Sequence, residues 1–257
     1  MPYFIVALAA LLTAGLTLFS GFGLGTLFLP VFALFFPLRV AIALTAVVHL
    51  ANNLLKFALL GKYANRAVVL RFGLPAIAAA YLGAQALLWL GELDPLFSYH
   101  LWGRTFHIMP VKLVIAILMI SFALLETAQA ARRFSLPPRY LPLGGLLSGF
   151  FGGLSGHQGA LRSIFLLRYG LAKEGFIGTG VIIACLVDFS RLIVYFDRFF
   201  LADFTQNAGI LLTAIAAAFA GTFLGSRLLG KITMRGIQLI VALLLSGIAL
   251  GLAAGFI

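Results

Sequence analysis

Charge is what this chain has least of. Only 10% of its 257 residues are Asp, Glu, Lys or Arg, against about 25% in an ordinary soluble domain, and 63% are hydrophobic. That excludes a soluble globular fold. Acidic residues are scarcest: 7 against 18 Lys and Arg, a formal net charge of +11. On a soluble protein this excess would point to nucleic acid. Here the basic residues sit mostly in short connections between apolar runs, the pattern that orients a protein in a bilayer, so no nucleic-acid partner is expected. The single cysteine, Cys185, lies inside an apolar run. It excludes an internal disulfide and offers no metal-ligand cluster, so neither a metal nor a cofactor is expected. Met1-Pro2-Tyr3-Phe4 has no basic n-region, and no clean cleavage site follows residues 8–18, so a removable signal peptide is not expected.

What the chain does have is apolar runs of bilayer length, which takes about 20 helical residues. Spans are expected over residues 40–60, 68–90, 111–125, 174–196, 204–229 and 232–257, with a polar connection at 91–110. Two further runs, 3–36 and 141–168, are interrupted by glycine: Ser20-Gly21-Phe22-Gly23-Leu24-Gly25-Thr26 in the first, Gly152-Gly153-Leu154-Ser155-Gly156-His157-Gln158-Gly159 in the second. The piece 26–36 is too short to cross alone at about 1.5 Å per residue. A hairpin that enters, turns at mid-depth and leaves on the same side fits better. The halves 1–126 and 143–257 echo one another across the hydrophilic linker 127–142: Asn53 and Lys56 match Asp188 and Arg191 in spacing. The expected fold is therefore an all-α integral membrane protein of two inverted repeats, each a re-entrant broken-helix hairpin plus three transmembrane helices.

Charge supports this topology. With each hairpin returning to its own side, eleven Lys and Arg fall on one face and four (Arg39, Arg104, Lys112, Arg198) on the other. The rich face is then cytoplasmic and both termini are periplasmic, in a bacterial plasma membrane.

A helix that begins in mid-membrane presents unpaired N–H groups and a partial positive charge, which an anion satisfies. The candidate substrate-binding residues are Gly23, Gly25 and Thr26 at the first break, and Ser155, Gly156, His157, Gln158 and Gly159 at the second. Arg162 lies one turn into the half-helix that follows. Asn53, Lys56 and Arg191 inside spans join them. Arg191 follows Asp188 by one turn, so the two either neutralise one another or face the ligand. Lys56 either snorkels to the interface or faces the site. Candidates for proton coupling are His157 and Asp188, with Glu174 as a further one. Of the adjacent amides Asn52 and Asn53, at least one should face protein. His49 reads as a core hydrogen-bonding residue.

These residues resemble the TauE/SafE family of membrane anion transporters, also called the sulfite exporter family, over nearly the whole chain. The resemblance rests on Gly21-Phe22-Gly23-Leu24-Gly25-Thr26-Leu27-Phe28-Leu29-Pro30 with Ala43-Leu44-Thr45 in the first half. In the second half it rests on the 152–159 motif with Gly178-Thr179-Gly180. It implies export of small sulfur-containing anions such as sulfite or organosulfonates. The departure is the second motif, where His157, Gln158, Arg162 and Ser163 make a more polar site with its own positive charge. Expected partners are thus a small anion and the lipid bilayer; the sequence does not give the oligomeric state.

Two other functions compete. Gly153-Leu154-Ser155-Gly156 matches the Gly-x-Ser-Gly of rhomboid-like intramembrane proteases, but no histidine lies on a span downstream to act as base. A channel could use the same opposed half-helices. No Asn-Pro-Ala pair is present, however, and a charged site binds an anion rather than passing it quickly.

Overall fold

The computed structural model describes residues 2–20, 24–127, 136–228 and 234–256. It is overwhelmingly helical. In chain order the elements are α1 (Pro2–Ser20), α2 (Leu24–Ala33), α3 (Leu38–Leu60), α4 (Arg66–Glu92), a hairpin of β1 (Phe97–Leu101) and β2 (Arg104–Ile108), then α5 (Pro110–Thr127), α6 (Leu141–Ser155), α7 (Gly159–Leu166), α8 (Lys173–Leu228) and α9 (Met234–Ala253). Among the described residues four stretches are long and apolar enough to cross a membrane: Leu38–Tyr63, Arg66–Glu92, Lys173–Phe196 and Gln206–Gly225. Pro2–Thr17 and Pro110–Leu125 are apolar but shorter.

The two interrupted runs are broken as the glycines suggest. The second break has a defined mechanism: Gly156 adopts φ 82 and its N–H closes back on the Gly152 carbonyl at 2.9 Å, a left-handed stop that ends α6. The chain then doubles back. Phe165 of α7 packs on Gly144 near the start of α6, and the Leu136 N–H donates to the Ile164 carbonyl at 3.3 Å.

The 56-residue helical segment α8 is not one rod. Asp188 pairs with His49 and Thr222 with Asn52. A straight helix would hold Asp188 and Thr222 about 50 Å apart, whereas His49 and Asn52 are neighbours on α3. The segment therefore folds back between its two spans, Lys173–Phe196 and Gln206–Gly225, both of which rest on α3.

Small residues set the tightest helix contacts. Gly145, Gly149 and Gly153 of α6 lie over the backbone of Phe72, Ala76 and Ala80 of α4, where a methyl group would overlap the carbonyl oxygens. The register advances in the same direction on both helices, so α4 and α6 run parallel. Gly221 and Gly225 of α8 meet Leu11 and Gly15 of α1 in the same parallel manner. Such close backbone approach is how helices pack where lipid removes the hydrophobic drive between them.

Burial is ordered helix by helix. On α4, Phe72, Ala76, Ala80, Ala84 and Leu87 are buried, whereas Leu70, Leu74, Leu82 and Trp89 are exposed. A continuous apolar stripe left outward is costly in water and appropriate in lipid. The polar connection at 91–110 is ordered. It forms a two-stranded hairpin, paired from Phe97↔Ile108 to Leu101↔Arg104. Its turn, Trp102 (φ 52) and Gly103 (φ 73), places both residues in the left-handed region that a two-residue hairpin turn requires. Tyr99 stacks on Phe106, Phe106 meets Phe256, and the Tyr99 hydroxyl donates to the Ala254 carbonyl, so the hairpin is tied to the end of α9.

Candidate functional site

An otherwise apolar α3 carries a polar stripe at helical spacing: Thr45, His49, Asn52, Asn53 and Lys56, all buried. The first span of α8 faces it with Asp188, Arg191 and Tyr195, each no more than 1% exposed. Polar groups at this depth must find partners inside the protein, and most of these do so through Asp188. Its Oδ1 accepts from Arg191 Nε at 3.1 Å and from the terminal Nη2 at 2.7 Å, and from Gln158 Nε2 at 3.4 Å. Its Oδ2 accepts from His49 Nδ1 at 2.5 Å and from Asn53 Nδ2 at 3.4 Å. One carboxylate thus ties α3 and α8 to the loop before α7.

The second break enters this network directly. Residues 152–160 are all buried. Arg191 Nη1 donates to the Gly152 carbonyl at 3.3 Å, and the Tyr195 hydroxyl to the Gly153 carbonyl at 2.6 Å. Tyr195 satisfies an acceptor that α6 leaves open at its end, and Arg191 adds a second donor to the Gly152 carbonyl, which already accepts the Gly156 N–H. Ser148 Oγ donates to the Gln158 carbonyl at 3.0 Å, and Arg162 Nη1 donates to Gln158 Oε1 at 3.3 Å. No side chain among the described residues caps the start of α7. Arg162 lies over Gly180 of α8, where a Cβ would come within 3.2 Å of its Nε. The first break faces the second: a Cβ on Gly25 would be 3.6 Å from the Gly156 oxygen, 3.7 Å from Thr45 Cγ2 and 3.8 Å from His49 Cδ2.

Gly156 is doubly constrained. Its φ suits glycine, and a Cβ there would approach Arg191 Nη1 to 3.0 Å. Gly156→Ala is expected to lower stability by about 1–3 kcal/mol and to disturb the Arg191 side chain. Thermal unfolding in detergent beside Gly170→Ala reads this out. Gly170 has φ 70, but a Cβ added there would meet nothing within 4 Å, so it isolates the backbone cost from the collision with Arg191.

Three buried polar atoms lack a partner among the described residues: Thr45 Oγ1, Asn52 Nδ2 and His157 Nε2. Two of them, Thr45 Oγ1 and His157 Nε2, belong to residues at the meeting of the breaks. The His157 ring stacks on Phe122, centroids 5.5 Å apart and planes at 10°, and its Nδ1 lies 3.0 Å from Ser155 Oγ. Two residues of separation at a helix start argue against so close an approach, yet the break permits it. The contact is not that of a nucleophile and its base. Ser155 directs its proton to the Phe151 carbonyl at 3.0 Å, so Nδ1 is the donor of the pair. No carboxylate orients the ring among the described residues, which a serine triad requires.

The structure therefore brings Gly25, Asn53, Lys56, residues 155–159, Arg162, Asp188 and Arg191 into one region. Lys56, 6% exposed, lies within electrostatic reach of both Arg162 and His49. Gly23 lies outside the described residues, as does the side chain of Thr26. Glu174 is exposed at the start of α8, apart from the cluster. Sequence reasoning underrated His49, which is the shortest contact of Asp188, and missed Tyr195 and Phe122. The signal for His49 was available: Thr45, His49, Asn53 and Lys56 recur at spacings of four and three on one face of an apolar span. Away from the cluster, a cavity of about 310 Å³ lies between Phe36, Arg39, Gly91, Met109, Lys112 and Leu252.

Outward apolar stripes around a buried polar cluster define a multi-pass membrane protein. The family model described as sulfite exporter TauE/SafE matches residues 5–252, and the chain belongs to that family. No curated protein and no solved structure matches it.

Proposed function

We propose that this protein exports a small sulfur-containing anion, such as sulfite or an organosulfonate, by alternating access. The observation that carries the reading is the convergence of two broken helices near two cations, buried Lys56 and half-buried Arg162. Gly25 at the start of α2 meets Gly156 at the break before α7. Arg162 donates to Gln158 of the second break, Lys56 lies within electrostatic reach of Arg162, and Thr45 Oγ1 and His157 Nε2 have no partner among the described residues. An anion there would be held by the half-helix N-termini and Arg162. Lys56, Asn53, Ser155 and residues 156–159 would form the rest of the shell, and Arg191 would reach it through its pair with Asp188. His157 is the first candidate for a proton. Neutral, with Nδ1–H spent on Ser155, its Nε2 can only accept; protonated, it becomes a donor toward an anion. Asp188 is the second candidate.

The same reading takes 1–126 and 143–257 as inverted repeats joined by a cytoplasmic linker at 127–142, with α1–α2 and α6–α7 as re-entrant hairpins. Helix partners support it. α6 runs parallel to α4, and α1 runs parallel to the second span of α8, which is the same pairing with the halves exchanged. The termini would be periplasmic, in a bacterial inner membrane. The cavity at Arg39 and Lys112 would then lie on the outer side of the site. Export needs no further fuel in this arrangement, because a negative interior drives each anionic charge outward by about 2.3 kcal/mol per 100 mV.

Counterflow in proteoliposomes tests this. Sulfite or sulfoacetate trapped inside is expected to accelerate uptake of the labelled anion from outside, with saturation. A linear, non-saturating flux without acceleration would mean a channel.

A further inference from the structure

The charges of this site do not balance. Among the described residues, the cations turned into the cluster are Lys56 and Arg191, both buried, and Arg162, half-buried; the one carboxylate is Asp188. Asp188 is committed to Arg191 through two nitrogens of one guanidinium, with His49, Asn53 and Gln158 filling its remaining acceptor positions. Arg162 is left with a neutral amide oxygen as its hydrogen-bond partner. Lys56 has no carboxylate in contact among the described residues, and the two like charges oppose one another. With both histidines neutral, the cluster carries two positive charges in excess in a segment surrounded by lipid. Such an excess is expensive unless something negative shares the space. Neutral donors add to it: the uncapped start of α7, and the unpartnered Thr45 Oγ1 beside Gly25.

We infer that the site is charge-matched to a doubly negative anion, a tetrahedral dianion or a sulfonate bearing a second acidic group, in preference to a singly charged sulfonate of the same size. This rests on the binding site proposed above and adds its charge rule. A monoanion would leave one of Lys56 and Arg162 uncompensated; a zwitterion such as an amino-sulfonate would compensate neither in full. The dianion lets the loaded site cross the membrane near neutrality. Two negative charges would then leave the cell per substrate.

Two matched pairs of probes test the rule without depending on the natural substrate. Sulfate and methanesulfonate share a head and differ by one charge; sulfoacetate and sulfoacetamide do the same on a longer frame. Binding of each to the purified full-length protein is measured by calorimetry at one fixed ionic strength. In at least one pair the dianion is expected to bind roughly tenfold to a hundredfold tighter, the scale of one charge-assisted hydrogen bond. Lys56→Gln is expected to shrink that ratio toward one. Equal or tighter binding of the monoanions, with Arg162→Ala still abolishing it, would overturn the charge rule and leave the site standing. Binding by neither member of either pair would sink both. A ratio unchanged in folded Lys56→Gln would remove Lys56 from the rule and overturn it as stated. The wild-type ratio decides the matter on its own where that variant does not fold.

Discussion

Asp188→Ala is expected to be the most damaging single change to the fold, costing about 3–5 kcal/mol of stability. The reason is what it strands. Arg191 is fully buried and loses both of its hydrogen bonds to Oδ1. His49 loses its 2.5 Å contact and Asn53 and Gln158 lose an acceptor. An uncompensated guanidinium in a membrane span has no water to turn to. The loss should fall on three elements at once, so the expected readout is a lower melting temperature together with greater hydrogen exchange in α3, α8 and the 156–159 loop. A second variant separates charge from shape. Asp188→Asn keeps the volume and one acceptor oxygen, and is expected to recover only part of the stability. The double replacement Asp188→Leu, Arg191→Met removes both charges and is expected to melt above Asp188→Ala, because breaking a buried pair costs more than deleting it. Should Asp188→Ala melt within a degree or two of wild type, Asp188 is not the tie between α3 and α8.

The sequence carried the architecture further than the chemistry. Long apolar runs, two glycine-rich breaks and a sparse set of basic residues define a multi-pass helical protein, because bilayer thickness and backbone satisfaction leave few alternatives. Spacing also gave the Asp188–Arg191 contact, since residues one turn apart on a helix meet without help from tertiary structure. What spacing could not give was the third partner. His49 is 139 positions away in sequence, and only the packing of α3 on α8 makes it a ligand of Asp188 rather than a solitary core histidine. The same holds for Tyr195, whose hydroxyl caps Gly153. Spacing alone does not show the Ser155–His157 contact: the left-handed turn at Gly156 swings the ring back, so two residues of separation give a 3.0 Å contact. The β-hairpin was hidden because its polar face (Ser98, His100, Thr105, His107) and its short strands read only as a polar connection between spans. Trp102-Gly103 was its only turn signal, and tryptophan is an unusual residue for that position.

Arg162→Ala is expected to have the opposite profile to Asp188→Ala: little effect on the fold and a large one on the anion. The side chain is partly exposed and holds one hydrogen bond of 3.3 Å to a neutral amide, so its removal should cost at most about 1 kcal/mol of stability. It also relieves the repulsion on Lys56, which offsets part of that cost. For the anion the balance reverses. A guanidinium one turn into an uncapped half-helix can give two parallel charge-assisted bonds to an oxyanion, and losing them should weaken binding roughly a hundredfold or more. Arg162→Lys discriminates position from charge: a point charge on a flexible stem keeps the field but not the fork, so it is expected to recover part of the affinity and not all of it. Gly180→Ala probes the same group from the opposite side, pressing on Nε from α8, and is expected to give a smaller loss in the same direction. Unimpaired binding of sulfite and sulfonates by a folded Arg162→Ala protein would place the anion elsewhere in the chain. A loss of binding that tracks a loss of folding would return Arg162 to a structural role, with Gln158 as the partner it holds in place.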